Sequence, residues 1–277
     1  MTAPAGSGQI TLLTDFGWRD GYVAAMKGVM ASVAPGVRVL DAAHDLAAHD
    51  VRSAGWVLHQ FWKTFPAGTI HVAVVDPGVG TERHGLILRA DGHWLIGPDN
   101  GIFSWVVEWA AEVEIWRLRP DVHVPAGLSD TFHGRDVFAY AAGLLAAGVP
   151  VEQLASPTQN MIRMREWTQS RQVSPDRIEG EIVHTDRFGN CVTNIAADDW
   201  NRVPGPTRML EVRSYFFSRL HRTYADVEPG RKLILVGSSG YIEIAVREGN
   251  AARRMLLHNG EAVSLTGTGS EHDGESA

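Results

Sequence analysis

The chain has one cysteine, Cys191. That excludes an internal disulfide and any cysteine-based metal site, and it fits a reducing compartment. Long apolar runs are missing: the most apolar helix-like stretch, residues 137–149, is too short and too alanine-rich to span a bilayer. The first ten residues, MTAPAGSGQI, have neither the basic start nor the apolar core of a signal peptide. Basic charge is in deficit, with 25 Lys and Arg against 32 Asp and Glu for a net charge of −7. The basic residues are also scattered, which argues against a nucleic-acid partner, since that needs a basic stripe to neutralise phosphates. No GxxxxGK[ST] is present, and Gly78-Val79-Gly80 carries Arg83 where a dinucleotide fingerprint needs its third glycine. There is no internal repeat. What remains is a soluble cytoplasmic protein whose 277 residues, 44% of them hydrophobic, suffice for one large domain or two ordinary ones.

The apolar pattern divides the chain. Residues 10–13 read as a buried strand ending in Thr14-Asp15-Phe16-Gly17, and residues 20–33 follow with a helical period. Residues 37–40 predict a second strand, and residues 50–65 a helix with Asp50 as its N-cap. Asp91-Gly92 between residues 86–88 and 93–96 signals a hairpin. Residues 102–109 predict a helix, 114–118 a strand and 135–147 a helix. This alternation predicts an α/β N-terminal domain, residues 8–168, with a largely parallel central sheet. Residues 169–176, polar and ending in Ser174-Pro175-Asp176, read as a linker. Beyond it the apolar period becomes two, in 178–183, 191–195, 209–212, 233–236, 241–246 and 262–265. That predicts a smaller all-β C-terminal domain over residues 177–266, with 267–277 as a disordered tail that has nothing to bury.

The organising stretch is residues 71–85, HVAVVDPGVGTERHG. A buried strand runs into Asp76-Pro77-Gly78-Val79-Gly80, and open α/β sheets place ligands outside the carboxyl ends of such strands. Arg83 lies seven residues past Asp76, close enough to fold back and share a site with it. Three further polar clusters fall at strand ends or turns. They are Asp15 with Asp20, the Thr131-Phe132-His133-Gly134-Arg135-Asp136 run, and Asp186-Arg187-Phe188-Gly189-Asn190. Taken singly, each is explained as well by turn or cap duty. Asp41, His44, Asp45, His49 and Asp50 resemble a metal cluster, but their spacing matches no ligand motif and a solvated loop is the better reading.

Read in order, TDFG, VDPGVGTER, GPDNG, FHGRD, DRFGN and SSGYIEIAVREGNAA resemble one family over about residues 9–266. It is the S-adenosyl-L-methionine hydroxide adenosyltransferase family, relatives of the fluorinating and chlorinating enzymes that cleave the same substrate. The resemblance implies hydrolysis of S-adenosylmethionine to adenosine and methionine, with no cofactor and no metal. It also implies a β-barrel-like second domain and a homotrimer with active sites between subunits. The family's catalytic Asp, Arg and His fall on Asp76, Arg83 and His133. By the same resemblance Asp15 binds the ribose diol, Asp20 and Asp186 lie near the methionine amine, and Phe188 and Asn190 contact adenine. Ser238 and the backbone around Ala251 complete the substrate-binding set.

Three positions depart from the halogenating pattern: His49 for a tryptophan, Gly134 for the fluorinases' serine, and Val192 for another aromatic. Those relatives also carry an uncharged residue in place of Asp76, whose carboxylate would repel a halide. The readings that compete with the hydrolase are therefore a halide-using relative, a non-catalytic S-adenosylmethionine or adenosine binder, and a metal-dependent hydrolase built on residues 41–50.

Overall fold

Strands buried on both faces are apolar along their whole length, and the first half of the chain contains several of these. The computed structural model describes residues 8–268. The start of the chain, residues 1–7, and residues 269–277 of the expected tail lie outside the described residues. The chain divides into two units between Met164 and Arg165.

The first unit runs β1 (Gln9–Thr14), α1 (Tyr22–Val33), β2 (Arg38–Ala43), α2 (Val51–Phe61), β3 (Ile70–Val74), β4 (Gly85–Ala90), β5 (His93–Pro98), α3 (Ser104–Trp109) and β6 (Val113–Leu118). It closes with α4 (Tyr140–Ala146), α5 (Val151–Leu154) and β7 (Ala155–Pro157). The sheet order is β2-β1-β3-β5-β4-β6-β7. Its first four strands are parallel, and β4, β6 and β7 continue it antiparallel. This is an α/β unit. Asp50 caps α2 as its sequence predicts, its carboxylate accepting from the Ser53 N–H at 3.0 Å. The hairpin between β4 and β5 turns on Asp91 (φ 45°) and Gly92 (φ 82°), the positive pair that matches strand twist. Strands β1 and β3 are neighbours from which the chain leaves in opposite lateral directions, to β2 and to β4. That makes the carboxyl ends of β1 and β3 the topological switch point, where a doubly wound sheet opens a crevice. The core beneath it includes Ile10, Leu12, Met26, Met30, Val72, Ile87, Ile96 and Phe138.

The second unit begins with α6 (Arg165–Thr168), β8 (Arg171–Ser174), β9 (Arg177–Thr185), β10 (Cys191–Ala196), α7 (Ala197–Arg202), β11 (Thr207–Val212), β12 (Tyr215–Phe217) and β13 (Leu220–His221). It ends with β14 (Lys232–Val236), β15 (Tyr241–Val246), α8 (Ala251–Met255) and β16 (Ala262–Thr268). Its sheet runs β12-β11-β16-β9-β10-β15-β14-β13 and is barrel-like. Strand β9 serves both halves, pairing β16 through residues 177–181 and then β10 through residues 182–185.

Two expectations need correction. Residues 169–176 are not a plain linker, because β8 pairs antiparallel with β9 there. The strand is nearly all exposed, so no apolar alternation marked it. The expected tail starts too early, since Gly267 and Thr268 finish β16 by pairing with Arg208 and Thr207. The helix read over residues 135–147 also differs at its start, opening as a π-helical turn over Gly134–Ala139 before α4.

Candidate active site

The switch point gathers the first candidates. Asp15 follows β1 directly and Asp76 lies two residues beyond β3, on strands whose last paired positions are Thr14 and Val74. Arg83, at the far end of the Asp76 loop, folds back onto that carboxylate. Its Nε donates to Oδ1 and Oδ2 at 3.0 Å each, and its Nη2 donates to Oδ2. Both side chains are nearly covered, at 6% exposure for Asp76 and 12% for Arg83, so water screens the pair little. The guanidinium also lies over the Phe138 ring, 5.1 Å from its centroid. Its Nη2 donates in addition to His133 Nδ1 at 2.9 Å.

That last contact assigns the imidazole. A guanidinium only donates, so Nδ1 is the bare nitrogen and the neutral ring carries its proton on Nε2. Burial lowers the His133 pKa below its ordinary value, and the neighbouring Arg83 charge lowers it further. Asp76 and Arg83, predicted from one stretch of the sequence, and His133, predicted from another, are one hydrogen-bonded chain.

The π-helical turn carrying His133 is anchored by Asp136, which is fully buried. Asp136 accepts from Arg135 Nε at 2.6 Å and Nη2 at 3.0 Å, and from the Ser129 N–H at 2.9 Å. Burial alone would raise its pKa, but these donors hold it below the usual carboxylate range. Such widened turns concentrate at functional sites. Phe132 packs edge-on against Phe16 and Tyr22, joining the turn to the loop after β1.

Asp15 Oδ2 accepts from the backbone N–H of His49 at 2.8 Å. His49 holds a left-handed conformation, φ 68°, to make that bond. Asp20 is exposed in the turn before α1. The acidic and histidine cluster of residues 41–50 has other employment. Buried His44 bridges Thr14 Oγ1 and Asp41 Oδ1 at 2.7 and 2.9 Å, and Asp41 also pairs with Lys27 at 2.7 Å. Among the described residues no three His, Cys, Asp or Glu side chains are placed to hold a metal ion.

In the second unit the Asp186–Asn190 turn is organised by Asp186. Its Oδ1 accepts from the N–H groups of Phe188 (2.9 Å) and Asn190 (2.8 Å), and its Oδ2 from Asn190 Nδ2 at 2.9 Å. Phe188 is thereby thrust outward, 74% exposed, while Asn190 is buried. Gly189 (φ 84°) approaches Asn250 so closely that a Cβ would lie 2.1 Å from its side chain. Asn250 in turn caps α8, whose first residue is the buried Ala251. The Asp186 turn and the Ala251 motif therefore brace each other, and the Gly189 carbonyl accepts from the Ala252 N–H at 2.9 Å. Ser238 is exposed in the β14–β15 turn.

Glu243 was not singled out from the sequence. It is buried on β15, accepts from the Tyr224 hydroxyl, and has its pKa raised by burial, with the Asp186 carboxylate adding to the rise. The sequence signal was one charged residue inside the apolar run YIEIAV, a strand buried at every position.

Residues 10–155 match the SAM hydroxide adenosyltransferase N-terminal domain and residues 180–264 its C-terminal domain. An (R)-S-adenosyl-L-methionine hydrolase of Thermus thermophilus is 38% identical over 92% of this chain and 98% of its own length. A fluorinase of Actinoplanes is 28% identical over 93% of this chain and 97% of its own. The crystal structure of a conserved protein from Thermotoga maritima superposes with a TM-score of 0.81 at 29% identity, covering 93% of this chain and 99% of that one. No helix among the described residues is long and apolar enough to cross a membrane. With both domain models matched in order, and Asp76, Arg83 and His133 joined where the sheet opens, the chain belongs to the SAM hydroxide adenosyltransferase family.

Proposed function

We propose that this protein cleaves S-adenosyl-L-methionine with water, attacking ribose C5′ to release adenosine and L-methionine. The observation that carries the reading is the hydrogen-bonded Asp76–Arg83–His133 chain at the switch point. As the C5′–O bond forms, the C5′–S bond breaks with its electron pair going to sulfur. The sulfonium leaves as a neutral thioether, needs no general acid, and the balance releases one proton from water. The difficulty is the nucleophile. Free water has a pKa of about 15.7, roughly 8.7 units above pH 7, or about 12 kcal/mol if full hydroxide were needed.

Three features address it. Arg83 places positive charge, poorly screened, where oxygen would gain negative charge. Asp76 Oδ1 accepts one bond from Arg83 Nε and keeps a further lone pair for the water proton. His133 has Nδ1 committed to Arg83, so it presents Nε2–H, a donor suited to orient the water oxygen. The geometry favours Asp76 as proton acceptor and His133 as orienter, with the proton leaving during attack. In-line positioning of the two reactants supplies much of the rest.

Substrate contacts follow the resemblance. Asp15, held by His49 N–H, has lone pairs for a ribose diol. Asp20 and Asp186 suit the methionine ammonium, and exposed Phe188 an adenine face. Asn190, Ser238 and Ala251 complete the set. The reaction so drawn requires no cofactor and no metal. A homotrimer with active sites between subunits belongs to the same reading, and native mass measurement tests it. Cytoplasmic placement belongs to the same reading, which the single cysteine fits because it leaves no internal disulfide to form.

The deciding experiment incubates purified protein with S-adenosylmethionine in halide-free buffer and follows adenosine and methionine by chromatography, with Asp76→Ala in parallel. Adenosine formed by the wild type and lost in the variant supports the hydrolase. A 5′-halo-5′-deoxyadenosine that forms only when halide is added would replace it with the halogenating reaction. Binding without either product would leave a non-catalytic binder.

A further inference from the structure

The GPDNG turn after β5 makes no contact that the proposed chemistry uses, yet it touches both ends of the loop that carries Asp76 and Arg83. Asn100 Nδ2 donates to the Val75 carbonyl at 2.8 Å, immediately before Asp76. The Asp99 N–H donates to the His84 carbonyl at 2.9 Å, immediately after Arg83. Strand pairing between β3 and β5 ends at Val72 and Ile96. Past that point the Asn100 side chain does for buried Val75 what a ladder N–H would do. Its other amide atom, Oδ1, accepts from the Ile102 N–H at 3.3 Å, so both contacts require the same amide orientation. Only an amide serves here, because a carboxylate would turn an acceptor toward the Val75 carbonyl. The turn is itself pinned, as Asp99 Oδ1 accepts from the Ile162 N–H at 2.7 Å.

We infer that Asn100 is a positioning residue for the Asp76–Arg83 pair, clamping the start of their loop while the Asp99 backbone clamps its end. The inference rests on the proposed hydrolysis for its kinetic test, but the geometry it asserts can be read without turnover. Asn100→Asp keeps an oxygen for the Ile102 N–H and removes the donor to Val75. Asn100→Ala removes the donor without introducing a charge. Either variant should lower kcat about 10- to 100-fold, as an ångström-scale misplacement of reacting groups does, with KM changed less than about threefold. Ile115→Val, a core change on β6, controls for lost stability and should keep wild-type kcat well below its melting temperature.

The second readout is the Arg83 Nε–H nitrogen-15 resonance, set by the bond to Asp76. It should move in both Asn100 variants and stay in place in Ile115→Val. Wild-type kcat in the variants, a kcat loss no larger than that of the control, or an unmoved Arg83 resonance would overturn the inference. If the wild type makes no adenosine, the hydrolase reading fails and the resonance alone still decides the clamp.

Discussion

Lowering the pH should destabilise the first unit through a pair of histidines outside the proposed catalytic chain. His71, on β3, is fully buried, with Nδ1 bonded to Thr11 Oγ1 at 2.7 Å and Nε2 to His93 Nδ1 at 3.3 Å. Phe61 and Phe65 close around it at 5.8 and 5.7 Å. Burial, then the nearby His93, pushes its pKa down to about 3 from 6.5. Between those values the unfolded chain binds the proton and the folded one does not, so stability falls as pH falls below about 6.5. At pH 5 the two pKa values differ in proton binding by a factor of roughly 30, which is about 2 kcal/mol, against about 0.2 kcal/mol at pH 7. Lowered His93 acts in the same direction.

Urea unfolding at the two pH values, followed by tryptophan fluorescence, measures this, since seven of the nine tryptophans lie in residues 8–164. His71→Phe costs stability at pH 7 by stranding the Thr11 hydroxyl, but it should lose about 2 kcal/mol less than the wild type between pH 7 and 5. An equal loss in both proteins would refute the assignment to His71.

Adenosine formation should hold on the acid side to below pH 6.5, because the active imidazole is neutral and its pKa is lowered. In Arg83→Met the residual rate should lose its acid limb at higher pH than the wild type, since one of the two lowering causes is gone, and kcat should fall about 10²- to 10³-fold. Gly189→Ala, at φ 84° and 2.1 Å from Asn250, should cost about 2 kcal/mol in melting experiments through left-handed strain and loss of the α8 cap, and should raise KM by moving Phe188. Excess EDTA should leave the rate unchanged, because Asp41 and His44 are bonded to Lys27 and Thr14. A rate abolished by EDTA and restored by a divalent cation would return the metal-dependent reading.

Local chemistry made much of this legible in the sequence. Apolar period separated an α/β half from an all-β half, Asp50 before an apolar helix declared its cap, and Asp91-Gly92 declared its hairpin. Arg83 could be tied to Asp76 because six intervening residues, two of them glycine, let the chain turn back on itself. His133 and Asp15 were found as polar residues at the ends of apolar segments, and the motif set gave them roles. Tertiary structure decided what depends on long-range pairing. Exposed β8 has no apolar alternation and exists because β9 offers it an edge. The π-helical turn under His133 is held by a buried Asp136 that binds the Ser129 backbone seven residues earlier. Glu243 was hidden inside an apolar strand, and Asn100 gained its meaning only when parallel β3 and β5 set it beside Val75. The sequence determined which side chains could perform the chemistry, because that follows from residue type and short-range spacing. Only the folded sheet decided which of them touch, because contact between β1, β3 and the turn at His133 is set by strand order, which no local pattern encodes.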